Sequence, residues 1–250
     1  MYAKKIRCAA LVTFSFFIFF HTNAQTTSSR YEVGVNVGAY VYQGDLAPGR
    51  WGSFKTLKPG IGVSFARIIS PSFSVGALLN VATLKGDETR YDFPEYRKYR
   101  AFKFNSKVKE LSLVARWNIL GSSAYETKLE PYIFAGAGLA FIKTTTDYSA
   151  FNAAFFGDGN EMAAGLLIDA TKPARKIIPV IPAGIGVRYN LSSTLSLNME
   201  SSYRFTGSDY IDGFSMAANP AKNDHYFSQT IGIAKKLGRK GKLGCPVMKY

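Results

Sequence analysis

The chain of 250 residues is poor in the side chains on which most metal and nucleophilic sites depend, since it has two cysteines and two histidines. Cys8 and His21 fall in an N-terminal segment that we expect to be removed, which leaves Cys245 and His225. A single cysteine cannot close an intramolecular disulfide, and one cysteine with one histidine cannot form the usual metal clusters. The glycines around Asp158 lack the flanking strand and helix of a nucleotide fingerprint. We therefore predict no catalytic residue, no metal and no cofactor.

Long apolar runs are lacking beyond the N-terminus. Three basic residues precede the apolar stretch 8–20, and Thr22-Asn23-Ala24 supplies small residues at the following cleavage positions. This pattern predicts a cleaved secretory signal peptide over residues 1–24. The alternative is an uncleaved anchor, although the stretch is shorter than the ~20 residues that a spanning helix needs. No later segment is apolar enough to span as a helix, so a membrane form of the mature chain must be a barrel.

Acidic residues are scarce: 17 Asp and Glu stand against 31 Lys and Arg, for a formal charge of +14. Such an excess often indicates nucleic acid or an anionic surface as partner. With an export signal we expect no nucleic acid. One group of basic residues, which we call the first basic cluster, is predicted either to bind anionic lipid headgroups or to lie in a solvated loop. Its members are Arg90, Arg97, Lys98, Arg100 and Lys103.

What the chain has in plenty is alternation with a period of two. Large apolar residues alternate with small or polar ones, as in a strand that has two different faces. Eight runs show it, at 31–41, 60–67, 73–84, 107–120, 131–143, 177–191, 195–205 and 225–237. The connections after the odd-numbered runs are long, and the others are shorter. This asymmetry predicts an all-β fold, a transmembrane antiparallel β-barrel of about eight strands in the outer membrane.

Two of the long connections carry more specific expectations. Residues 85–105 are charged and aromatic, and we predict that they form one loop. Residues 147–175 are predicted to form a second loop, within which 161–170 could fold as a short helix.

The charged residues within the alternating runs fall on the small, polar face. They are Glu32, Glu110, Arg116, Arg188, Glu200 and Arg204. A charge on the lipid side costs about 2–4 kcal/mol near the bilayer midplane, so this face is predicted to point inward. We expect Arg116 and Arg188 to neutralise Glu110 and Glu200 there. Aromatic residues near the run ends suit interfacial girdles. These are Tyr31, Tyr42, Trp117, Tyr189, Tyr203 and Phe205.

Two other uses of the acidic residues stay open. Glu110 and Glu200 could form a glycosidase-like carboxylate pair instead of internal salt bridges. Asp209, Asp212 and Asp224 lie in or beside one loop and could bind calcium, although their spacing is not that of a known calcium loop.

Four short stretches resemble one family. Tyr42-Gln43-Gly44-Asp45-Leu46 is similar to the Y-x-G-D-L segment of the PorG-like outer-membrane β-barrels of Bacteroidetes, which include a component of the type IX secretion system. Asp209-Tyr210-Ile211-Asp212 resembles that family's D-Y-L-D-D loop, with Gly213 in place of the last acid. Residues 58–67 and 223–238 are similar to its second and closing strands.

The resemblance implies a non-enzymatic barrel in the cell outer membrane, a component or accessory of type IX secretion or gliding. Its partners would be outer-membrane lipids and the periplasmic ring or lipoprotein components of that machinery. One alternative is a stand-alone structural or adhesive barrel. Another is a lipid-acting barrel enzyme, for which the sequence offers no evident Ser–His pair.

The resulting organisation has three parts. Residues 1–24 are the predicted signal peptide, residues 25–238 the barrel and residues 239–250 a basic tail. An even strand count places that tail in the periplasm, where we expect either disorder or docking onto an acidic partner through Lys240, Lys242 and Lys249.

Overall fold

Eight antiparallel strands close into one barrel, in which each strand pairs with its sequence neighbours and the last returns to the first. A computed structural model describes residues 31–49, 52–121, 128–157, 159–171, 176–219 and 223–237. The strands are β1 (Tyr31–Gln43), β2 (Lys58–Ser70), β3 (Phe73–Asp87), β4 (Lys103–Asn118), β5 (Leu129–Asp147), β6 (Ile177–Asn190), β7 (Leu195–Thr206) and β8 (His225–Leu237). The predicted eight-stranded antiparallel barrel is confirmed. The predicted signal peptide and tail lie outside the described residues.

The two ends of the barrel differ in the length of their connections. Residues 71–72, 119–128 and 191–194 join strands at one end, which we call the short-turn end. Residues 44–57, 88–102, 148–176 and 207–224 join them at the other, the long-loop end. The described parts of the long connections contain three helices, α1 (Tyr96–Arg100), α2 (Ala153–Phe156) and α3 (Glu161–Thr171). They also contain 3-10 turns at Phe54–Thr56 and Glu88–Arg90. The predicted asymmetry of the connections is therefore present.

Alternation along each strand separates an outward from an inward face. Outward residues are apolar and exposed, with Ile61 at 61%, Leu113 at 70% and Ile185 at 63% exposure. Their β-branched and aromatic neighbours suit a pleated wall. Inward positions carry glycine, small polar residues and buried charges. Because β1 pairs with β8, the barrel exposes no free strand edge.

The strands β3 and β4 run further than the sequence suggested. Residues 85–105 were predicted to form one loop, but β3 continues to Asp87 and β4 already begins at Lys103. Outward polar residues such as Lys85 and Asn105 hide the alternation, while Leu84 and Phe104 remain buried on the inward face. Strand pairing continues there because the backbone ladder does not require an apolar outward face. The short helix expected within residues 161–170, by contrast, is present as α3.

The largest apolar cluster lies at the long-loop end, where loop residues fill the mouth of the barrel. Leu46, Ile211 and Phe214 enter from the loops, and the rings of Phe102 and Phe214 stack at 4.5 Å between centroids. Inward aromatic residues from the strands, including Tyr40 and Tyr226, complete the cluster. The loops thus form a cap over the barrel instead of extending freely into solvent.

Candidate functional site

An ionic cluster occupies the barrel interior near the short-turn end. Arg116 of β4 reaches Glu32 of β1 at 3.2 Å and Glu200 of β7 at 3.0 Å. Arg188 of β6 reaches Glu32 at 2.8 Å and Glu130 of β5 at 3.8 Å. The arginines and Glu32 are almost fully buried, so water screens these pairs weakly. Glu32 is the shared acceptor that joins both arginines.

Tyr132 ties this cluster together from β5. Its hydroxyl donates to Glu200 at 2.6 Å, and the guanidinium of Arg116 lies 4.6 Å from its ring centroid. A cation over an aromatic face is attracted by the ring quadrupole, more strongly where both are desolvated. Tyr132 therefore acts as a donor to the acid and as a partner to the base.

A second cluster lies between the first and the cap. Arg204 of β7 pairs with Glu110 of β4 at 3.2 Å, and Tyr226 donates to the same carboxylate at 2.9 Å. Arg204 also donates to the hydroxyls of Ser202 and Ser228. Each group of this cluster is buried and has a partner of complementary charge or polarity.

The six charged residues that we expected inside are thus inward-facing, but their partners differ in part from the expected ones. Arg116 does contact Glu200. Glu110, however, pairs with Arg204, and Arg188 pairs with Glu32 and Glu130. The stagger between strands decides which inward positions face each other across a barrel, and alternation alone does not reveal it.

This interior has little room for a solute. The cavity beside Arg116 and Glu200 measures about 10 Å³, which is the space of about one water. Glu110 and Glu200 are engaged by Arg204, Arg116 and tyrosine hydroxyls. The arrangement is a packed polar core at this level of the barrel.

At the long-loop end, the hydroxyl of Tyr42 connects the end of β1 to the 207–224 loop, which is far away in the sequence. This hydroxyl lies within hydrogen-bond distance of two carboxylates, 2.6 Å from Asp212 and 2.5 Å from Asp224. The second oxygen of Asp224 accepts the backbone N–H groups of Ile211 at 3.0 Å and Asp212 at 3.4 Å. Tyr42 is 2% exposed, so its predicted place in an interfacial girdle is wrong. Its even position in β1 already assigned it to the inward face.

The neighbours of Tyr42 in its motif fit the same junction. A Cβ added to Gly44 would lie 2.0 Å from both the Tyr42 hydroxyl and an Asp224 oxygen, so the tight approach needs glycine. Leu46 is fully buried in the cap. The backbone carbonyl of Asp45 accepts from Arg97 at 3.3 Å. The stretch from Tyr42 to Leu46 therefore joins the first strand to the cap.

Part of the first basic cluster is internal. Glu88 is fully buried and accepts Arg97 at 3.2 Å and Arg100 at 2.5 Å. Two further members form surface pairs, Arg90 with Asp87 and Lys98 with Asp92. Four of the five members of this cluster are thus paired with an acid of the protein and are less available to a lipid headgroup than the sequence suggested.

Asp169 of α3 binds the 207–224 loop, which contains the motif stretch Asp209-Tyr210-Ile211-Asp212. Its carboxylate accepts the backbone N–H groups of three successive residues, 215 to 217, at 3.0–3.1 Å. The hydroxyl of Tyr210 donates to Asp169 at 3.3 Å. Gly165 lets the helix approach this loop, since an added Cβ would lie 2.5 Å from the Met216 carbonyl. α3 is therefore fastened to the 207–224 loop, and Asp169 was not recognised from the sequence.

Asp209, Asp212 and Asp224 of the 207–224 loop lie in a low-dielectric environment. Burial raises the pKa of Asp224 to about 8, with Asp209 adding repulsion. Burial and the nearby charge of Asp224 raise the pKa of Asp212 well above its usual value. Burial raises the pKa of the Asp209 carboxyl to about 6. In the closed cap, burial therefore shifts each of these three groups toward its neutral form.

A cavity of about 780 Å³ opens at the rim beside the cap. Arg97, Arg100 and His225 contribute to its lining. The ring nitrogen Nδ1 of His225 accepts the backbone N–H of Thr206 at 3.3 Å. Across the described ranges, no three His, Cys, Asp or Glu side chains are grouped to hold a metal ion. The same ranges include no helix of the length and apolarity needed to cross a bilayer.

Several solved bacterial membrane proteins are similar in fold. OprG of Pseudomonas aeruginosa matches with a TM-score of 0.48 and 10% identity, over 85% of this chain and 98% of OprG. The Neisserial surface protein NspA matches with a TM-score of 0.45 and 14% identity, over 83% and 97%. A major outer membrane protein from Thermus thermophilus gives 0.44 and 13%, over 82% and 98%. No curated protein matches the sequence significantly.

The sequence itself matches one family along almost the whole barrel. The match covers residues 10–234 and so includes both stretches that meet at Tyr42. The chain belongs to the DUF6089 family, whose description is a domain of unknown function.

Proposed function

We propose that the protein is a non-enzymatic barrel of the bacterial outer membrane. The observation that carries this proposal is the division of its wall: exposed apolar side chains outside and paired charges inside. An apolar exterior of this extent is unfavourable in water and suits lipid. The long-loop end would face outward and the short-turn end the periplasm, following the usual asymmetry of such barrels.

Within that membrane, we assign the protein to type IX secretion or gliding, as a component or accessory. The support is the resemblance of its motifs to the PorG-like barrels. Both motifs contribute to a single junction, since Tyr42 of the first bonds Asp212 of the second. The short-turn end and the basic tail would contact periplasmic ring or lipoprotein components of the machinery. Those tail residues lie outside the described ranges.

A stand-alone adhesive barrel is the second candidate, and it also has an observation in its favour. The cap exposes large apolar side chains, with Phe54 and Phe93 at 84% and Leu167 at 73% exposure. Exposed apolar groups on outward loops are suited to protein or surface contact. The secretion role proposed above is assigned to the short-turn end and the tail, and so does not use this surface.

Membrane placement is tested by fractionation. The mature protein should sediment with the outer membrane and migrate differently on heated and unheated gels. Release into the soluble fraction by osmotic shock would exclude the barrel from the membrane and both roles with it.

The secretion role is tested by deleting the coding sequence in the native bacterium. Secreted protease activity should fall and return when the intact chain is restored. A chain without Gly241–Tyr250 should still assemble, while secretion and co-purification of a periplasmic partner decrease. Normal secretion in the deletion strain, combined with reduced surface attachment, would favour the adhesive barrel.

A further inference from the structure

Three lysines stand together on the outward face of β4 and β5. Lys107 lies directly opposite Lys143 in the antiparallel ladder, and Lys109 follows two residues along β4 on the same face. All three side chains are exposed. Within the described part of the chain, none of them has a carboxylate within the 4.0 Å of an ion pair. They form what we call the lysine patch.

The placement of Lys107 opposite Lys143 is unfavourable by itself. Side chains directly opposite in a ladder lie about 4.5–5.5 Å apart at Cβ, and like charges there destabilise the pair. Other cations of the long-loop end are arranged differently: Lys85 pairs with Asp87 at 3.4 Å and Lys98 with Asp92 at 3.0 Å. Among the described residues, the lysine patch is thus a concentration of positive charge without a carboxylate at ion-pair distance, and a bound anion would relieve the repulsion.

The patch sits where the apolar outer wall ends. Outward residues are apolar up to Val81 on β3, Leu111 on β4 and Phe141 on β5, and polar beyond them. Lys109 pairs in the ladder with both Val81 and Phe141. In a membrane, this transition corresponds to the boundary between acyl chains and headgroups. An anion held by the patch would therefore have apolar protein surface directly below it.

We propose that the lysine patch binds the phosphate groups of a phosphorylated glycolipid of the outer leaflet. The lysine ammonium groups contact the phosphate. Leu111 and Phe141 contact the part of the glycolipid acyl chains that lies nearest to the headgroup. Lysine binds phosphate as a point charge with three donors, and the bonds are charge-assisted. This inference rests on the proposed outer-membrane placement with the long-loop end outward.

The test compares two triple variants of the full mature barrel in phosphatidylcholine nanodiscs. One carries Lys107→Gln, Lys109→Gln and Lys143→Gln. The control carries Arg67→Gln, Lys128→Gln and Lys235→Gln, which removes three exposed cations near the short-turn end. Bisphosphorylated lipid A is the probe, and its dephosphorylated form with the same acyl chains is the reference. Native mass spectrometry measures the lipid retained per barrel.

We expect the patch variant to bind bisphosphorylated lipid A at least on the order of tenfold more weakly than the unaltered barrel, since each basic residue near an anionic surface contributes to binding. The control variant should keep its affinity. High salt should weaken binding by the unaltered barrel. Equal losses in both variants, or equal binding of the dephosphorylated lipid, would overturn the proposed site.

A single substitution tests the same site in the case that the triple variant does not fold. Lys143→Gln removes the like-charge contact with Lys107 and should raise the urea midpoint in a zwitterionic detergent. In nanodiscs with bisphosphorylated lipid A, the same variant should gain less stability from the lipid than the unaltered barrel does. An unchanged lipid response contradicts the site. Loss of the outer-membrane location in cells, by contrast, contradicts the proposed function and leaves the nanodisc result standing.

Discussion

Asp212 and Asp224 share one hydrogen-bond donor, the phenol of Tyr42, which lies 2.6 Å from the first carboxylate and 2.5 Å from the second. A phenol has one proton and can donate to one acceptor at a time. Since neither acid forms an ion pair with a base in the described part of the chain, the two carboxyls are best satisfied when they retain a proton of their own. The junction between β1 and the cap is therefore sensitive to protonation.

The first prediction concerns pH. The pKa of an exposed aspartate is about 3.9, and burial raises that of Asp224 to about 8 in the closed cap. The closed state thus binds more protons than an opened one, and its stability falls as pH rises from about 4 through about 8. Hydrogen exchange at the N–H groups of Ile211 and Asp212, corrected for intrinsic rates, should be faster at pH 9 than at pH 5.

Asp224→Asn is the matched control for that experiment. The amide cannot ionise, so the contribution of Asp224 is removed and the corrected exchange should depend less on pH, with Asp212 and Asp209 responsible for what remains. The same steep pH dependence in this variant would show that another group is responsible.

Removal of the shared donor should also destabilise the cap. Tyr42→Phe keeps the ring against Phe104, at 4.6 Å between centroids, but leaves both acids without the phenol. An unsatisfied buried polar group costs about 1–3 kcal/mol. We expect the variant to unfold at a lower urea concentration. Hydrogen exchange should be faster at the backbone amides of the cap. Tyr148→Phe, at an exposed position, should change the midpoint little.

Gly44 offers a purely steric test of the same junction. Gly44→Ala places a methyl group where the Tyr42 hydroxyl and an Asp224 oxygen now lie. Overpacking of this kind typically costs about 1–3 kcal/mol. Gly49→Ala is the control, since its added Cβ would meet no atom within 4 Å. Equal midpoints for the two variants would mean that the cap adjusts freely around Gly44.

The fourth prediction addresses the ionic interior. Arg116→Met leaves Glu32 and Glu200 without a shared base. Breaking a buried pair from one side costs about 3–5 kcal/mol, and water entering the interior would reduce this. Arg67→Met removes an exposed outward arginine and should leave the urea midpoint nearly unchanged. If the two variants unfold at the same urea concentration, the interior pairs do not stabilise the barrel.

Local patterns in the sequence were sufficient for the barrel and for the direction of most side chains. Alternation assigns Glu32 and Arg116 to one face because the period of a strand is independent of its neighbours. The partner of Arg204 could not be read in the same way, since Glu110 lies three strands away and the stagger of the whole barrel brings them together. The predicted girdle position of Tyr42 was wrong because it was based on the place of Tyr42 near a strand end. Its even position in β1 already indicated that the side chain points inward.

The cap was the least predictable part. Asp169 lies in a short helix, and its three backbone acceptor contacts depend on where the 207–224 loop folds back. Loops of this length have no period from which a contact could be inferred. The one local signal was Gly165, whose missing side chain permits the close approach of helix and loop.

The interior ion pairs also bear on how the barrel assembles. Arg116 of β4 finds its carboxylates on β1 and β7, and Arg204 of β7 finds its own on β4. No hairpin of adjacent strands can neutralise either arginine by itself. In the outer membrane that we propose for this barrel, a partly formed sheet would expose both charges to the bilayer, so insertion one hairpin at a time is disfavoured. Strand closure and membrane entry should therefore occur together, with β1, β4 and β7 in place before the wall is complete.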